Sequence, residues 1–213
     1  MIRIIETFTS VQGETSFTGL PTFFIRLAAC NLRCSWCDTP YSFVRGESIT
    51  LDQIFEELDR SRVQHVCVTG GEPLLQEGVY PLMERLVEEG YTISLETGGS
   101  LPIARVPEEV HIILDIKCPG SGMQEKNRWD NLHLIRSKDE VKFVVADRED
   151  FEYALRVIEE HNLQKKAGTL LFSPVWDQLE SHELTEWILN DAPYARLNLQ
   201  IHKFIWDPAT KGV

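Results

Sequence analysis

The sequence of 213 residues lacks any apolar run close to the roughly 20 residues that a membrane-spanning helix requires. Its amino-terminal segment contains neither a long apolar stretch nor a small-residue cleavage site, so the sequence predicts no secretory signal. Low-complexity segments, internal repeats and long linkers are also missing. We therefore expect one domain spanning residues 1–213, located in the cytoplasm, where thiols stay reduced.

Basic residues are few relative to acidic ones. Lysine and arginine total 21, whereas aspartate and glutamate total 33, which gives a formal net charge of −12. A nucleic-acid-binding protein needs a basic face, and anionic membrane surfaces attract clusters of basic residues. The composition therefore predicts that neither a nucleic acid nor a membrane is a partner of this chain.

Strand-like and helix-like segments alternate along the chain. This alternation predicts βαβ units and therefore an α/β fold with about six parallel strands, either in an open sheet or in a partial barrel. The predicted strands are residues 23–27, 66–69, 91–95, 110–116, 141–145, 170–172 and 197–201. The predicted helices are residues 51–60, 80–89, 151–161 and 183–190, the first with a capping box formed by Thr50 and Gln53.

Segments rich in cysteine, glycine or charged residues follow five of these strands. They are residues 30–37, 69–72, 96–99, 115–117 and 200–202. In parallel α/β folds, ligands bind at the carboxyl ends of the strands. We therefore expect these five segments to meet around one site.

Three of the five cysteines form a C-x3-C-x2-C pattern at Cys30, Cys34 and Cys37. Three thiolates on one short loop suit a soft metal centre, but no fourth cysteine is near and the nearest histidine in sequence is His65. A closed zinc site needs four ligands, whereas an iron–sulfur cluster held by three cysteines leaves one iron open. The pattern favours the cluster, with a zinc site completed by a distant histidine and a redox-sensing trio as alternatives. Cys67, inside a strand, is expected to be a core residue.

The cysteine pattern, with Trp36 just before its last member, resembles the radical S-adenosylmethionine (SAM) superfamily. The run Gly-Gly-Glu-Pro at residues 70–73 resembles the second motif of that superfamily, which binds the amino group of SAM. The resemblance implies a [4Fe-4S] cluster whose open iron is chelated by SAM. It also implies that an electron from the cluster cleaves SAM to a 5′-deoxyadenosyl radical.

Further segments resemble the 7-carboxy-7-deazaguanine synthases within that superfamily. They are residues 11–14 (Val-Gln-Gly-Glu), 19–26, 37–39 (Cys-Asp-Thr) and 199–203 (Leu-Gln-Ile-His-Lys), and the resemblance extends from residue 5 to about residue 208. It implies a carbon–nitrogen lyase that converts 6-carboxy-5,6,7,8-tetrahydropterin to 7-carboxy-7-deazaguanine and ammonia, a step toward queuosine and other deazapurines. It also implies a shortened, partial (β/α) barrel, a homodimer, Mg²⁺ beside the cluster and SAM, and an electron donor such as a flavodoxin or ferredoxin.

The same resemblance implies a role for each matching residue. Cys30, Cys34 and Cys37 would ligate the cluster, and Thr39 would bind Mg²⁺. The residues expected to contact SAM are Trp36, Cys37, Asp38, Gly71, Glu72, Glu96, Asp115, Ile116 and Lys117. The residues expected to contact the substrate are Gln12, Gly13, Glu14, Arg26, Thr69 and His202.

Two of these assignments have competing interpretations. Arg26 lies inside an apolar strand, where it would bind the substrate carboxylate or pair with an acid of the protein; we favour the substrate. Glu96 is either a ribose-binding acid or an ordinary loop acid.

The end of the sequence departs from part of the family. Some members end at a proline six residues after the histidine, and their terminal carboxylate reaches the substrate. Here the matching residue, Pro208, is followed by residues 209–213, so this contact is not carried over. Two alternative functions remain at this stage: a radical SAM activase that makes a glycyl radical on a partner protein, and a zinc-stabilised binding module.

Overall fold

The computed structural model describes all residues from Met1 to Val213, and none of its helices is long and apolar enough to cross a bilayer. The strands are β1 (Ile2–Val11), β2 (Pro21–Leu27), β3 (Glu47–Ile49), β4 (His65–Gly70), β5 (Thr92–Thr97), β6 (His111–Ile116), β7 (Glu140–Val145), β8 (Thr169–Pro174) and β9 (Arg196–Leu197). The helices are α1 (Leu51–Ser61), α2 (Val79–Glu88), α3 (Arg148–Glu160), α4 (Leu163–Lys166), α5 (Ser181–Asp191) and α6 (His202–Ile205).

All nine strands form one sheet in the order β3-β1-β2-β4-β5-β6-β7-β8-β9. From β2 onwards every neighbouring pair is parallel, whereas β1 is antiparallel to both β2 and β3. The sheet ends in two unpaired edges, yet residues of β1, β2 and β4 to β8 line a single cavity. A sheet that curves around a cavity without closing is a partial barrel, so the predicted fold class is confirmed.

Alternate residues of each parallel strand face opposite sides of the sheet. Those facing outwards, such as Ile25, Val68 and Leu114, belong to one hydrophobic cluster that packs against the helices. Full burial of such a side chain stabilises the fold by about 1.5–3 kcal/mol. The intervening residues face the cavity and are often polar. Cys67 shares that inner face with Thr69, and it is fully buried, as predicted for a core residue.

The four predicted helices are confirmed, with boundaries shifted by at most three residues. The predicted capping box at α1 is present: the Thr50 side chain accepts from the Gln53 main-chain N–H, and the Gln53 side chain accepts from that of Thr50. The buried side of α1 then places Ile54, Phe55 and Leu58 against the sheet.

The alternation of strands and helices fails in two connections between parallel strands. The connections β5–β6 and β6–β7 contain no α-helix, and the second is built from the 3₁₀ turns Pro119–Ser121, Gln124–Lys126 and Trp129–His133. Proline and glycine residues in these stretches break regular helices.

Strands β1 and β3 were not predicted, and the predicted strand 197–201 is too long. The chain leaves β9 because Asn198 bonds Ser173 Oγ and the Thr15 N–H, so His202 opens α6 instead of ending a strand.

Residues 12–20, which follow β1, close the amino end of the barrel. The Ser16 N–H donates to the carboxylate of Glu140, the first residue of β7. The Phe17 ring stacks on His65 with centroids 4.4 Å apart and meets His111 edge-on at 4.8 Å, and these histidines are the first residues of β4 and β6. We call residues 12–20 the plug. The plug leaves the carboxyl end as the entrance to the barrel.

Candidate active site

One cavity of about 550 Å³ occupies the inside of the barrel, a size typical of a small-molecule site. All five segments expected to meet at one site contribute to its wall. Of the predicted site residues it contains Gln12, Gly13, Glu14, Arg26, Cys30, Cys34, Trp36, Cys37, Asp38, Thr39, Thr69, Gly71, Glu96, Asp115, Lys117 and His202. The structure therefore brings together residues that are as much as 190 positions apart in the sequence.

Two predicted SAM contacts lie outside this wall. Ile116 alternates with Asp115 along β6, so its side chain faces outwards into the hydrophobic cluster, and its contact with SAM stays a prediction. Glu72 is fully buried, and its carboxylate accepts from the Leu74 N–H, the Thr97 hydroxyl and the Gly98 N–H at 2.8–3.0 Å. Burial raises the pKa of Glu72. The contact of Glu72 with SAM stays a prediction. In the structure, the hydrogen bonds of the Glu72 carboxylate hold the end of β5 in place.

The cysteine loop leaves β2 through Ala29, which has a left-handed φ of 72°. The Ala29 N–H donates to the Ser42 carbonyl at 2.8 Å, which closes the loop around its three half-buried thiols. Burial raises the pKa of Cys30 and Cys34, and the nearby Lys117 ammonium opposes that shift.

The thiols fit the cluster better than they fit zinc. Nowhere in the structure do three His, Cys, Asp or Glu side chains converge as they would around a single metal ion. All three thiols nevertheless line one wall of the cavity, without a fourth protein ligand beside them. Three spaced thiols around an open pocket are a suitable donor set for a [4Fe-4S] cluster with one free iron position.

The glycine that follows β4, Gly71, allows a close approach of two main chains. A Cβ at Gly71 would lie 2.2 Å from the Ala29 carbonyl oxygen and 2.7 Å from the Cys30 Cβ. The Gly71 N–H donates to Leu27 and the Glu72 N–H to Ala29, at 3.1 and 2.9 Å. The glycine motif therefore holds the end of β4 directly against the cysteine loop.

The floor of the cavity carries a buried ion pair. Lys142 Nζ lies 2.8 Å from Glu14 Oε2, and Gln200 Nε2 donates to Glu14 Oε1, also at 2.8 Å. Burial by itself would raise the pKa of Glu14, but Lys142 lowers it to about 2. Glu96 stands beside this pair, accepting from the Gln12 amide at 3.2 Å and the Thr69 hydroxyl at 3.1 Å.

Arg26 combines both interpretations offered for it. Its Nε donates to Glu6 Oε1 at 2.8 Å, and the Tyr41 hydroxyl donates to the same oxygen at 3.0 Å. Its two terminal nitrogens have no hydrogen bond within the protein, and the residue lines the cavity. A protein acid therefore fixes one side of the guanidinium and leaves the other for an anion.

His202 packs directly on Gly13. A Cβ at Gly13 would lie 2.0 Å from His202 Nδ1, so no larger residue fits there without moving the ring. Burial lowers the pKa of His202, which favours the neutral imidazole with one donor and one acceptor nitrogen.

Sequence reasoning missed several residues of the site. Lys142 interrupts an apolar strand just as Arg26 does, and that signal was available. Glu6 carries no such signal, because its role depends on a partner in another strand. Gln200 lies in one of the segments expected at the site, but its bond to Glu14 was not predicted. Residues 208–213 also line the cavity, with Lys211 Nζ 4.5 Å from the centre of the Tyr41 ring.

Comparison with known proteins gives this geometry its context. The family model described as the Radical SAM superfamily matches residues 24–160. The chain is 43% identical to a 7-carboxy-7-deazaguanine synthase of Koribacter versatilis, with both chains covered in full. It is 42% identical to the synthase of the same name from Chlorobaculum tepidum, over 100% of this chain and 97% of that one. The chain belongs to the 7-carboxy-7-deazaguanine synthases.

The fold agrees with this membership. The crystal structure of QueE from Escherichia coli superposes with a TM-score of 0.75 and covers 93% of each chain, at 24% identity. The resemblance of this sequence to the family and to the superfamily is thereby confirmed. As a member, the chain is a radical SAM enzyme of deazapurine synthesis that uses a [4Fe-4S] cluster and SAM. The alternatives of a glycyl-radical activase and a zinc-stabilised module are wrong, whereas Mg²⁺ and the roles of individual residues stay predictions.

Proposed function

We propose that this chain converts 6-carboxy-5,6,7,8-tetrahydropterin to 7-carboxy-7-deazaguanine with release of ammonia. The observation that carries the proposal is the wall of the cavity. The free side of Arg26 and the Glu14 carboxylate open into the same space as the three thiols. A substrate that carries one carboxylate and an amide-like ring edge suits this pairing.

The substrate-binding residues divide into two groups. The terminal nitrogens of Arg26 pair with the substrate carboxylate, and Glu6 keeps the guanidinium in one orientation. On the floor, Glu14 is ionised and therefore only accepts hydrogen bonds, which suits the N–H donors of a pterin edge. Neutral His202, packed on Gly13, supplies a further donor or acceptor to the same edge.

The cofactor end of the cavity is built around the cysteine loop. When bound, the cluster and SAM supply the one-electron chemistry that starts a radical reaction. The chain holds the cluster with Cys30, Cys34 and Cys37. Asp115 and Lys117, whose charged atoms lie 3.1 Å apart, supply one negative and one positive charge to the amino acid part of SAM. Apolar side chains between the two ends, among them Phe24, Ile113 and Val144, exclude water from the reacting region.

Thr39 is the residue that we assign to Mg²⁺ in this proposal. It precedes the 3₁₀ turn Pro40–Phe43, but its side chain makes no capping hydrogen bond and instead lies in the cavity wall, 3.9 Å from Cys37 Sγ. Its hydroxyl is thus free to act as a hard oxygen ligand beside waters and substrate oxygens.

Replacing Thr39 tests this role. We expect Thr39→Ala to raise the Mg²⁺ concentration that gives half-maximal turnover at least about tenfold. This factor is the lower end of the loss seen when groups that support metal ligands are removed. Thr39→Ser retains the hydroxyl and serves as the matched control, with Mg²⁺ activation close to that of the parent. Iron and sulfide content must be equal in the three proteins. An Mg²⁺ response unchanged in Thr39→Ala would remove Thr39 from the metal site.

Two partners complete the proposal. An electron donor such as a flavodoxin or ferredoxin reduces the cluster, and two copies of the chain form a homodimer. Light scattering of the anaerobic protein measures its molecular mass in solution. A mass of about 24.5 kDa, that of one chain, would contradict the homodimer.

The decisive experiment is an anaerobic purification followed by iron and sulfide analysis and an activity assay. We expect about four irons per chain, as for one [4Fe-4S] cluster. With dithionite, SAM, Mg²⁺ and carboxytetrahydropterin, the protein should form the deazaguanine acid and ammonia without net loss of SAM. A protein that cleaves SAM to 5′-deoxyadenosine but leaves the pterin unchanged would contradict the proposed substrate while leaving the family assignment intact.

A further inference from the structure

A row of alternating charges crosses the floor of the cavity. Glu14 Oε2 lies 2.8 Å from Lys142 Nζ, Lys142 Nζ lies 3.9 Å from Asp115 Oδ2, and the same oxygen lies 3.1 Å from Lys117 Nζ. These residues come from the plug, from β7, and from β6 and the residue after it. The row therefore joins the predicted substrate end of the cavity to the predicted SAM end.

All four side chains are withdrawn from solvent, between 10% and 17% exposed. An unpaired charge at this depth would be strongly unfavourable, so each group depends on its neighbours to remain charged. Lys142 holds the middle position, between one acid from the plug and one from β6. Nothing in the family resemblance gives Lys142 a role.

We propose that Lys142 is a positioning residue that acts through Glu14, holding its carboxylate as a fixed, acceptor-only group toward the substrate. This inference rests on the proposed function and deepens it. A carboxylate held in this way selects ring edges that present N–H donors, as a 2-amino-4-oxopyrimidine does, and disfavours edges that present lone pairs.

The geometry around Glu14 supports fixation from two sides. Lys142 takes one carboxylate oxygen and Gln200 takes the other, each at 2.8 Å, so the carboxylate can neither rotate nor withdraw. Besides Lys142, the charged or titratable groups around the pair are His202, Asp115 and Glu96. Without Lys142, burial would raise the pKa of Glu14, and a protonated carboxyl group would donate where it should accept.

The test is a double-mutant cycle on the holoenzyme. Binding of carboxytetrahydropterin is titrated anaerobically with SAM present and reductant omitted, between pH 5.5 and 8, so that no turnover occurs. We expect Lys142→Met to weaken binding at least about tenfold at pH 7, with a loss relative to the parent that grows as the pH falls. Lys142→Arg keeps the positive charge and should recover most of the affinity. Dividing the affinity of each variant by that of the parent at the same pH removes the effect of the titration of the substrate itself.

The double variant identifies the path of the effect. If Lys142 acts through Glu14, Glu14→Gln/Lys142→Met should bind no more weakly than Glu14→Gln alone, and its ratio to the parent should not depend on pH. The double variant removes the Glu14 carboxylate that Lys142→Met alone would leave without its partner, so this comparison remains decisive if Lys142→Met does not fold. Lys138→Met is the matched control, because Lys138 lies just before β7 and bonds the Val110 carbonyl away from the cavity.

Two results would overturn the inference while the proposed function stands. The first is affinity in a folded Lys142→Met protein equal to that of the parent. The second is a loss in the double variant equal to the product of the two single losses, which would mean that Lys142 acts independently of Glu14. A parent protein that carries cluster and SAM but does not bind the pterin would overturn the proposed function and this inference together.

Discussion

Arg26 uses one of its nitrogens on the protein and offers the others to the cavity. Its Nε donates to Glu6, and its guanidinium carbon lies 5.7 Å and 6.0 Å from the centres of the Phe8 and Tyr41 rings. A lysine at this position keeps the charge but cannot bond Glu6 and a carboxylate in one plane. We expect Arg26→Lys to raise KM for the carboxytetrahydropterin about 10- to 100-fold, within the range for hydrogen bonds to charged groups.

A matched variant separates this effect from a general loss of arginine. Arg85 bonds Asp52 and Glu89 on the outer helices, so Arg85→Lys should leave KM unchanged. Steady-state kinetics at equal iron content measure both variants. A KM in Arg26→Lys equal to that of the parent would assign Arg26 to Glu6 alone.

The sequence revealed those site residues whose chemistry conflicts with their local pattern or matches a motif. Cys30 and its two partners are visible as a spacing, and Arg26 is visible as a charge within an apolar strand. Glu6 is an ordinary polar residue until the fold brings it to Arg26, and Gln200, although it lies in a predicted site segment, shows its role only through its bond to Glu14. Lys142 was detectable by the argument used for Arg26 but was not singled out.

At the scale of elements, the end of β4 and the cysteine loop form one packed unit. A Cβ on Gly71 would overlap the Ala29 carbonyl at 2.2 Å, and main-chain atoms cannot move aside as a flexible side chain can. We expect Gly71→Ala to displace the cysteine loop, with reduced iron and sulfide per chain after reconstitution and a lower melting temperature.

Gly78→Ala is the control for this substitution. Gly78 immediately precedes α2, lies outside the cavity wall and has an ordinary φ of −67°. The atom nearest to an added Cβ would be the Met1 carbonyl oxygen, 3.2 Å away. It should reconstitute like the parent. A full cluster content in Gly71→Ala would show that the loop tolerates the overlap and that the glycine serves another purpose.

The α1 helix offers a prediction that affects stability alone. Thr50 caps α1 on the outer side of the sheet, and removing such a cap costs about 1 kcal/mol. Thr50→Ala should therefore lower the melting temperature by about 2–4 °C for a chain of this size. Turnover at 25 °C should be unchanged, because α1 contributes no residue to the cavity. A marked loss of turnover would connect α1 to the site by a route that the contacts do not contain.

Elements with a clear hydrophobic period were predictable, and those defined by their surroundings were not. The helices show an apolar stripe and caps, and the parallel strands are short apolar runs between them. Strand β1 mixes polar and apolar residues: Phe8 and Val11 line the cavity, whereas Thr7 on the other face bonds Glu57 of α1, so β1 is not the continuous apolar run that marks the parallel strands. Strand β9 ends early because the Asn198 side chain bonds the plug, a contact across 183 residues.

At the scale of the whole molecule, the two ends of the barrel have different chemistry. The carboxyl end holds the thiols and the entrance, while the amino end is closed by the plug against His65, His111 and Glu140. Because the plug also supplies Glu14, its seating at the amino end fixes part of the cavity floor. The stability of this seal therefore bears on function as well as on folding.

The seal should weaken in mild acid. His65 is 5% exposed, its Nδ1 lies 2.8 Å from the Thr22 hydroxyl, and its Nε2 has no partner. Burial lowers its pKa from 6.5 to about 4, so protonation is easier in the unfolded chain than in the folded one. For a group whose pKa is depressed by folding, the stabilisation is complete above the unfolded value and is lost as the pH falls toward the folded value. The free energy of unfolding should accordingly decrease between pH 7.5 and pH 5.

His65→Gln should flatten that decrease, because glutamine can still bond Thr22 and does not titrate. Burial also lowers the pKa of His202 and His161, so part of the slope should remain. Melting temperatures of the anaerobic holoenzyme at several pH values provide the measurement, and each 1 kcal/mol corresponds to about 2–4 °C. The control is His182→Gln, on the exposed side of α5, which should keep the slope of the parent. If His65→Gln loses stability toward pH 5 as steeply as the parent does, the acid sensitivity arises elsewhere in the barrel and the plug is not its source.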